Sequence, residues 1–234
     1  FERAFTEAGA PAGLLQSITA SHDTTASLVG NDGIGYVAFT GSVEGGRDVS
    51  RAAAGRFIDV GLELGGKDAA YVRADADIGA CAAAIAEGAF YNAGQSCCAV
   101  ERIYVDRRVY AAFLDALVGE AGAWSPGDPL AETTRLGPMA KPGAPEAALD
   151  QVRESVAAGG RLLTGGSPCS IDGRGRYFEA TVLADTDHSM RVMTEESFAA
   201  IAAVSAVGGD EEAVARINDS RYGLTASVWT ADEA

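Results

Sequence analysis

Apolar and polar positions along the chain alternate between two periods, and the alternation itself recurs. Residues 34–40, 57–64, 100–105, 177–183, 201–207 and 224–229 show the short, β-branched or aromatic runs of strands. Residue 2–8, 23–29, 43–54, 78–91, 109–121, 146–158 and 210–217 stretches show helical spacing. In 78–91, Ala82, Ile85, Ala89 and Phe90 share one face; in 109–121, Phe113, Leu114, Leu117 and Val118 do the same. Gly9 and Pro11 close the first helix, Asp23 is the expected N-cap of the second, and Asp210 caps the last. Residues 14–18 read as a further short strand, and 124–141, rich in Pro, Gly and polar residues, as a long surface loop. Strand–helix–strand alternation with short links predicts an α/β fold built on parallel strands. No internal repeat interrupts it, and Gly65-Gly66 is the expected hinge between two sub-domains.

Composition narrows the possibilities. With 234 residues, 47% of them hydrophobic and 22% charged, the chain has material for a sizeable core. Eighteen Lys and Arg against 33 Asp and Glu leave a net charge of −15. That balance argues against nucleic acid and against an anionic membrane surface as partners, since both need clustered cations. No apolar run is long enough to span a bilayer, and the start, Phe1-Glu2-Arg3, lacks the pattern of a secretory signal. The four cysteines, Cys81, Cys97, Cys98 and Cys169, form no C-x-x-C pair and read as reduced thiols of a cytoplasmic protein. His22 and His188 stand alone in sequence, so no metal site is expected, and acid–base chemistry falls to carboxylates, Lys or thiols.

Four segments carry groups with chemical potential. In Phe39-Thr40-Gly41-Ser42 a strand runs into a helix. Gly41 there permits close approach of a ligand, Ser42 offers a cap and a hydroxyl, and the helix N–H groups favour phosphate; a purely structural glycine turn is the alternative. In Leu62-Glu63-Leu64-Gly65-Gly66-Lys67, a carboxylate between apolar residues suits a general base if desolvated, and a solvent-facing strand end if not. Gly94-Gln95-Ser96-Cys97-Cys98 presents thiols at a helix–strand junction, as nucleophile or as small core residues. Thr194-Glu195-Glu196-Ser197-Phe198 sets a carboxylate and a ring to grip a ribose, or begins a helix with acidic residues against its dipole.

Taken in order, F-T-G-S-x-x-x-G, L-E-L-G-G-K, G-Q-x-C and E-E-x-F closely resemble the NAD(P)-dependent aldehyde dehydrogenase superfamily. Asp75-Ala76-Asp77, Leu136-Gly137-Pro138 and the stretch from Tyr222 to Val228 agree with it. The resemblance implies part of a Rossmann-like parallel-sheet cofactor domain at 1–62, followed by an α/β catalytic domain at 63–234 with Cys97 facing the cofactor cleft. It implies NAD or NADP as cofactor, a small-molecule aldehyde as substrate, and a homo-oligomer, dimer or tetramer, for a full-length member. Cys97 becomes the nucleophile that forms a thiohemiacetal and then a thioester, and Glu63 the activator of the hydrolytic water. Gly41, Ser42 and Gly46 match the pyrophosphate turn, Leu64 a backbone contact to the nicotinamide end, Glu196 the ribose carboxylate and Phe198 the ring beside it. Where the family reads E-E-x-F-G-P, this chain has Ala199-Ala200 after Phe198. The resemblance also implies that the oxyanion Asn, the adenosine-ribose Lys and the oligomerisation strand lie outside the 234 residues. A CoA-acylating relative and a non-catalytic binding chain are the competing readings.

Overall fold

Val37, Phe39, Ile58 and Val60, the inward positions of two alternating segments, pack with Val29, Val49 and Ala53 into a small core. The computed structural model describes residues 1–232, and the chain divides between Leu64 and Gly65 into two compact units. Glu63 and Leu64 thus belong to the first unit. That unit contains helices α1 (Glu2–Glu7) and α2 (His22–Val29), strand β1 (Tyr36–Thr40), helix α3 (Val43–Ala53) and strand β2 (Asp59–Glu63). The two strands pair in parallel, from Tyr36 opposite Asp59 to Thr40 opposite Glu63, with α3 as the crossover.

Two differences from the sequence expectation appear here. Residues 14–18 form no strand; the whole stretch 10–21 lacks regular structure. Leu14, Leu15 and Ile18 are exposed, and among the described residues no strand pairs with this stretch. The cap of α2 is Ser21, whose Oγ accepts the Thr24 N–H at 3.2 Å, while Asp23 lies within the first turn.

The second unit runs β3 (Asp68–Val72), α4 (Ile78–Phe90), β4 (Val100–Asp106), α5 (Tyr110–Ala121), α6 (Ala144–Ala157), β5 (Arg161–Thr164), β6 (Pro168–Ile171), β7 (Arg174–Phe178), β8 (Thr181–Ala184), α7 (Arg191–Thr194), β9 (Ile201–Val207), α8 (Asp210–Asn218) and β10 (Ala226–Trp229). Six strands form one sheet in the order β10-β3-β4-β9-β8-β5, parallel except for β5 against β8. Alternation along β4 shows why the sheet is covered on both faces. Ile103 and Val105 join the core built with Ile85, Phe90, Phe113 and Leu117 of α4 and α5. Tyr104 turns to the other core, with Val152, Leu183, Met193 and Ile201.

The single strand expected over 177–183 is two. β7 pairs with β6 as a hairpin, whereas β8 enters the large sheet. The 124–141 loop is less a surface feature than its composition suggests: Trp124, Leu136 and Met139 are buried, and a parallel bridge joins Pro126 to Leu136. Gly209, not Asp210, occupies the N-cap of α8. Among the described residues, no helix is long and apolar enough to cross a membrane.

Candidate active site

The segment bearing Cys97 leaves α4 through three successive left-handed residues: Asn92, Ala93 and Gly94 have φ of 52°, 57° and 70°. Asn tolerates this region and Gly is free in it, so Ala93 carries the strain. Reciprocal hydrogen bonds hold the turn, with Asn92 Nδ2 donating to the Gln95 carbonyl at 2.9 Å and Gln95 Nε2 to the Asn92 carbonyl at 3.1 Å. Gln95 Oε1 accepts the Ala140 N–H at 2.8 Å, tying the turn to the long loop. Cys97 and Cys98 are both exposed at the tip before β4 begins, and Ser96 Oγ stands 3.3 Å from Cys98 Sγ.

Gly65 and Gly66 bring that tip to Glu196. A Cβ on Gly66 would collide with the Cys97 carbonyl oxygen, and one on Gly65 would lie 2.5 Å from Glu196 Oε1. The Gly66 N–H donates to Glu196 Oε1 at 3.0 Å. Burial pushes the Glu196 carboxyl above the ordinary carboxylate range, against the opposing pull of that N–H. Gly94 has the same kind of fit: its φ is positive, and a Cβ would stand 2.6 Å from Ala200 N.

The Glu196–Phe198 segment is not a helix start. Helix α7 ends at Thr194, and Glu195 is extended. Phe198 adopts φ 48°, unusual for a bulky residue, and its ring is exposed. Glu101, buried on β4, holds the turn. Its Oε2 accepts the Ser197 N–H at 2.8 Å and its Oε1 the Phe198 N–H at 2.9 Å. Lys67 Nζ pairs with the same carboxylate and donates to Ser197 Oγ at 3.0 Å. Burial pulls the Lys67 ammonium below its usual range, with Glu101 opposing. Ser197 Oγ in turn donates to Gln151 Oε1 at 2.7 Å. Glu101, Lys67 and Gln151 have no assigned role in the sequence reading, yet they form this network. The available signal was a charge inside an apolar strand, because a charged residue there needs a partner.

In the first unit, Glu63 ends β2 with its side chain exposed rather than enclosed by apolar neighbours. The Gly41 N–H donates to the Glu63 carbonyl at 3.0 Å. Ser42 caps α3, accepting the Gly45 N–H at 3.1 Å, and the N–H groups of Val43 and Glu44 at the helix start have no intrahelical acceptor among the described residues. The glycines of this turn have internal neighbours. A Cβ on Gly41 would meet the Phe39 ring at 2.6 Å, and one on Gly46 would meet Leu64 Cδ2 at 2.6 Å. Glycine at 41 therefore accommodates Phe39, and glycine at 46 accommodates Leu64. The described residues hold no group of three or more His, Cys, Asp or Glu arranged for a metal ion.

The model of the aldehyde dehydrogenase family matches residues 1–234. The betaine aldehyde dehydrogenase of Agrobacterium fabrum is 38% identical over 229 residues, covering 97% of this chain and 46% of that protein. Among solved structures, an NAD-dependent aldehyde dehydrogenase from Sinorhizobium meliloti superposes with a TM-score of 0.95 at 34% identity, over 99% of this chain and 46% of the other. A 3,6-anhydro-L-galactose dehydrogenase in complex with NAP gives a TM-score of 0.93 at 35% identity, over 97% and 48%. The chain thus spans about half the length of the curated relatives it matches.

Proposed function

Because the chain belongs to the aldehyde dehydrogenase family, we propose that the protein carrying it oxidises an aldehyde to a carboxylic acid with NAD or NADP through Cys97. One observation supports this most: Gly65-Gly66 touches both the Cys97 carbonyl and the Glu196 carboxylate, so the exposed thiol and the half-buried acid share one support.

The residues suit such a cofactor. Glu196 accepts one hydrogen bond among the described residues, at Oε1, and keeps Oε2 for a ribose hydroxyl. Phe198 offers an exposed ring beside it. Ser42 and the N–H groups opening α3 suit a diphosphate, with Gly41, Gly46 and Leu64 shaping the turn from within. Bound NAD(P)+ supplies the hydride acceptor that turns a thiohemiacetal into a thioester. The Cys97 sulfur, as thiolate, adds to the aldehyde carbonyl carbon and later carries the acyl group as that thioester. Glu63 takes a proton from water, whose oxygen attacks the acyl carbon; the acid leaves and the thiolate returns. Exposure of Glu63 suits exchange of that proton with solvent.

We assign the protein to the cytoplasm and to a homo-oligomeric state, the first on its four unpaired cysteines. Alone, the 234-residue chain is expected to lack turnover, since it spans under half of the relative described above.

The test is NAD(P)H absorbance across a panel of aldehydes with the full-length polypeptide. Cys97→Ala is expected to abolish turnover; full turnover in that variant overturns the assignment. Acyl-CoA formed on adding CoA would shift the reading to a CoA-acylating enzyme, against the presence of Glu63.

A further inference from the structure

Among the described residues Glu101 makes no hydrogen bond to Cys97 or Glu196, yet it joins the segments that bear them. It stands on β4, four residues beyond Cys97 in sequence. Its two oxygens accept consecutive backbone N–H groups, Ser197 and Phe198, at 2.8 and 2.9 Å. The residue is 3% exposed, so these charge-assisted bonds form away from water. Its counter-ion, Lys67, follows Gly65-Gly66, the pair packed on Glu196 and on the Cys97 carbonyl. One carboxylate thereby joins the Gly65–Lys67 segment, the strand leaving the Cys97 loop, and the Glu196–Phe198 turn.

We propose that Glu101 is a positioning residue, which fixes Glu196 and Phe198 beside the Cys97 loop by accepting the N–H groups of Ser197 and Phe198 on its two oxygens. The backbone argues for this role. Phe198 sits at φ 48°, where a bulky residue persists only when its surroundings hold it. Glu101 supplies that hold at the Phe198 N–H itself. A carboxamide cannot replace it, because it has one oxygen for two donors and turns its own N–H groups toward the other. The inference rests on the reading of Glu196 as the cofactor-ribose carboxylate.

The experiment compares Glu101→Gln, Lys67→Met/Glu101→Gln and Glu196→Gln in the full-length polypeptide. It measures the dissociation constant of NAD+ and NADP+ by titration without aldehyde, the KM and kcat, and the melting temperature. Glu101→Gln leaves the Lys67 ammonium buried without its counter-ion and is expected to lower the melting temperature. The double variant removes both charges and is expected to recover part of that loss. Both are expected to bind cofactor about tenfold more weakly, the scale of one charge-assisted hydrogen bond. A purely structural Glu101 predicts wild-type cofactor affinity in whichever variant folds, and that result overturns the proposal. If Glu196→Gln also binds as wild type, the underlying reading of Glu196 fails; if only Glu196→Gln weakens binding, the positioning role alone fails.

Discussion

Gly66 packs against the carbonyl oxygen of Cys97 so closely that even a methyl group there would collide with it. The contact joins two motifs that are distant in sequence, and neither partner can yield easily, because the obstructing atom is backbone. Gly66→Ala is therefore expected to displace the Cys97 tip. A shift of about 1 Å costs on the order of 100-fold in rate when it moves a reacting group. Steady-state kinetics of the full-length variant check this, and unchanged kcat/KM would show that the contact does not set the position of the thiol.

Gly94 presents a second such contact with a different origin. It combines φ of 70° with backbone atoms of Ala199 and Ala200 where a side chain would go. Gly94→Ala is expected to lower stability by about 2 kcal/mol or more, combining left-handed strain with steric overlap. Denaturant unfolding measures it. The same substitution at Gly137, with open space around it and no positive φ, is the control expected to leave stability nearly unchanged.

Carboxylates contribute to acid stability with both signs, and Asp106 and Glu196 illustrate them. Arg108 donates to the carboxylate of Asp106 at 2.9 and 2.7 Å and holds it at about 2. The unfolded chain binds this proton near the ordinary value of 3.8, so between the two values the unfolded state carries more protons. The contribution is thus complete above about pH 4 and is lost as pH falls toward 2. Asp106→Asn is expected to remove about 1–2 kcal/mol at neutral pH, discounted because Arg108 is largely exposed, with the difference closing in acid. Glu196 has the reverse sign. Its carboxyl is raised in the fold, so the folded state binds more protons and stability declines as pH rises from the ordinary 4.5 through the raised value. Unfolding curves of Glu196→Gln across pH 3–7 should lack that decline; a profile parallel to wild type would contradict the buried placement of this acid.

Thiol accessibility separates the cysteines. Cys97 and Cys98 are exposed, Cys169 is partly covered and Cys81 is buried in the α4 core. Brief alkylation of the native protein, read by peptide mass spectrometry, should label Cys97 and Cys98 first and Cys81 last. Early labelling of Cys81 would mean that α4 does not pack as described.

Much of the fold was legible because local periodicity survives burial. α5 is found where Phe113, Leu114 and Leu117 recur at helical spacing, and β4 and β9 where apolar runs are short and β-branched. β3 escaped because Asp68-Ala69-Ala70-Tyr71-Val72 lies buried throughout and shows no alternation. The 177–183 run misled because its two halves bond to different partners, β6 and β9, a choice made by distant strands. In the second unit, Cys97, Glu196 and the glycine pair were legible as motifs, whereas the Glu101–Lys67 clamp was not, since its partners are 34 residues apart.

By itself the sequence determined the residue types, the parallel α/β grammar and the order of the four motifs, since these follow from composition and short-range spacing. Only tertiary structure decided that Gly65 and Gly66 serve the Cys97 loop and Glu196, while Gly41 and Gly46 make room for Phe39 and Leu64. A missing Cβ records that something comes close; what comes close depends on how the remote segments pack.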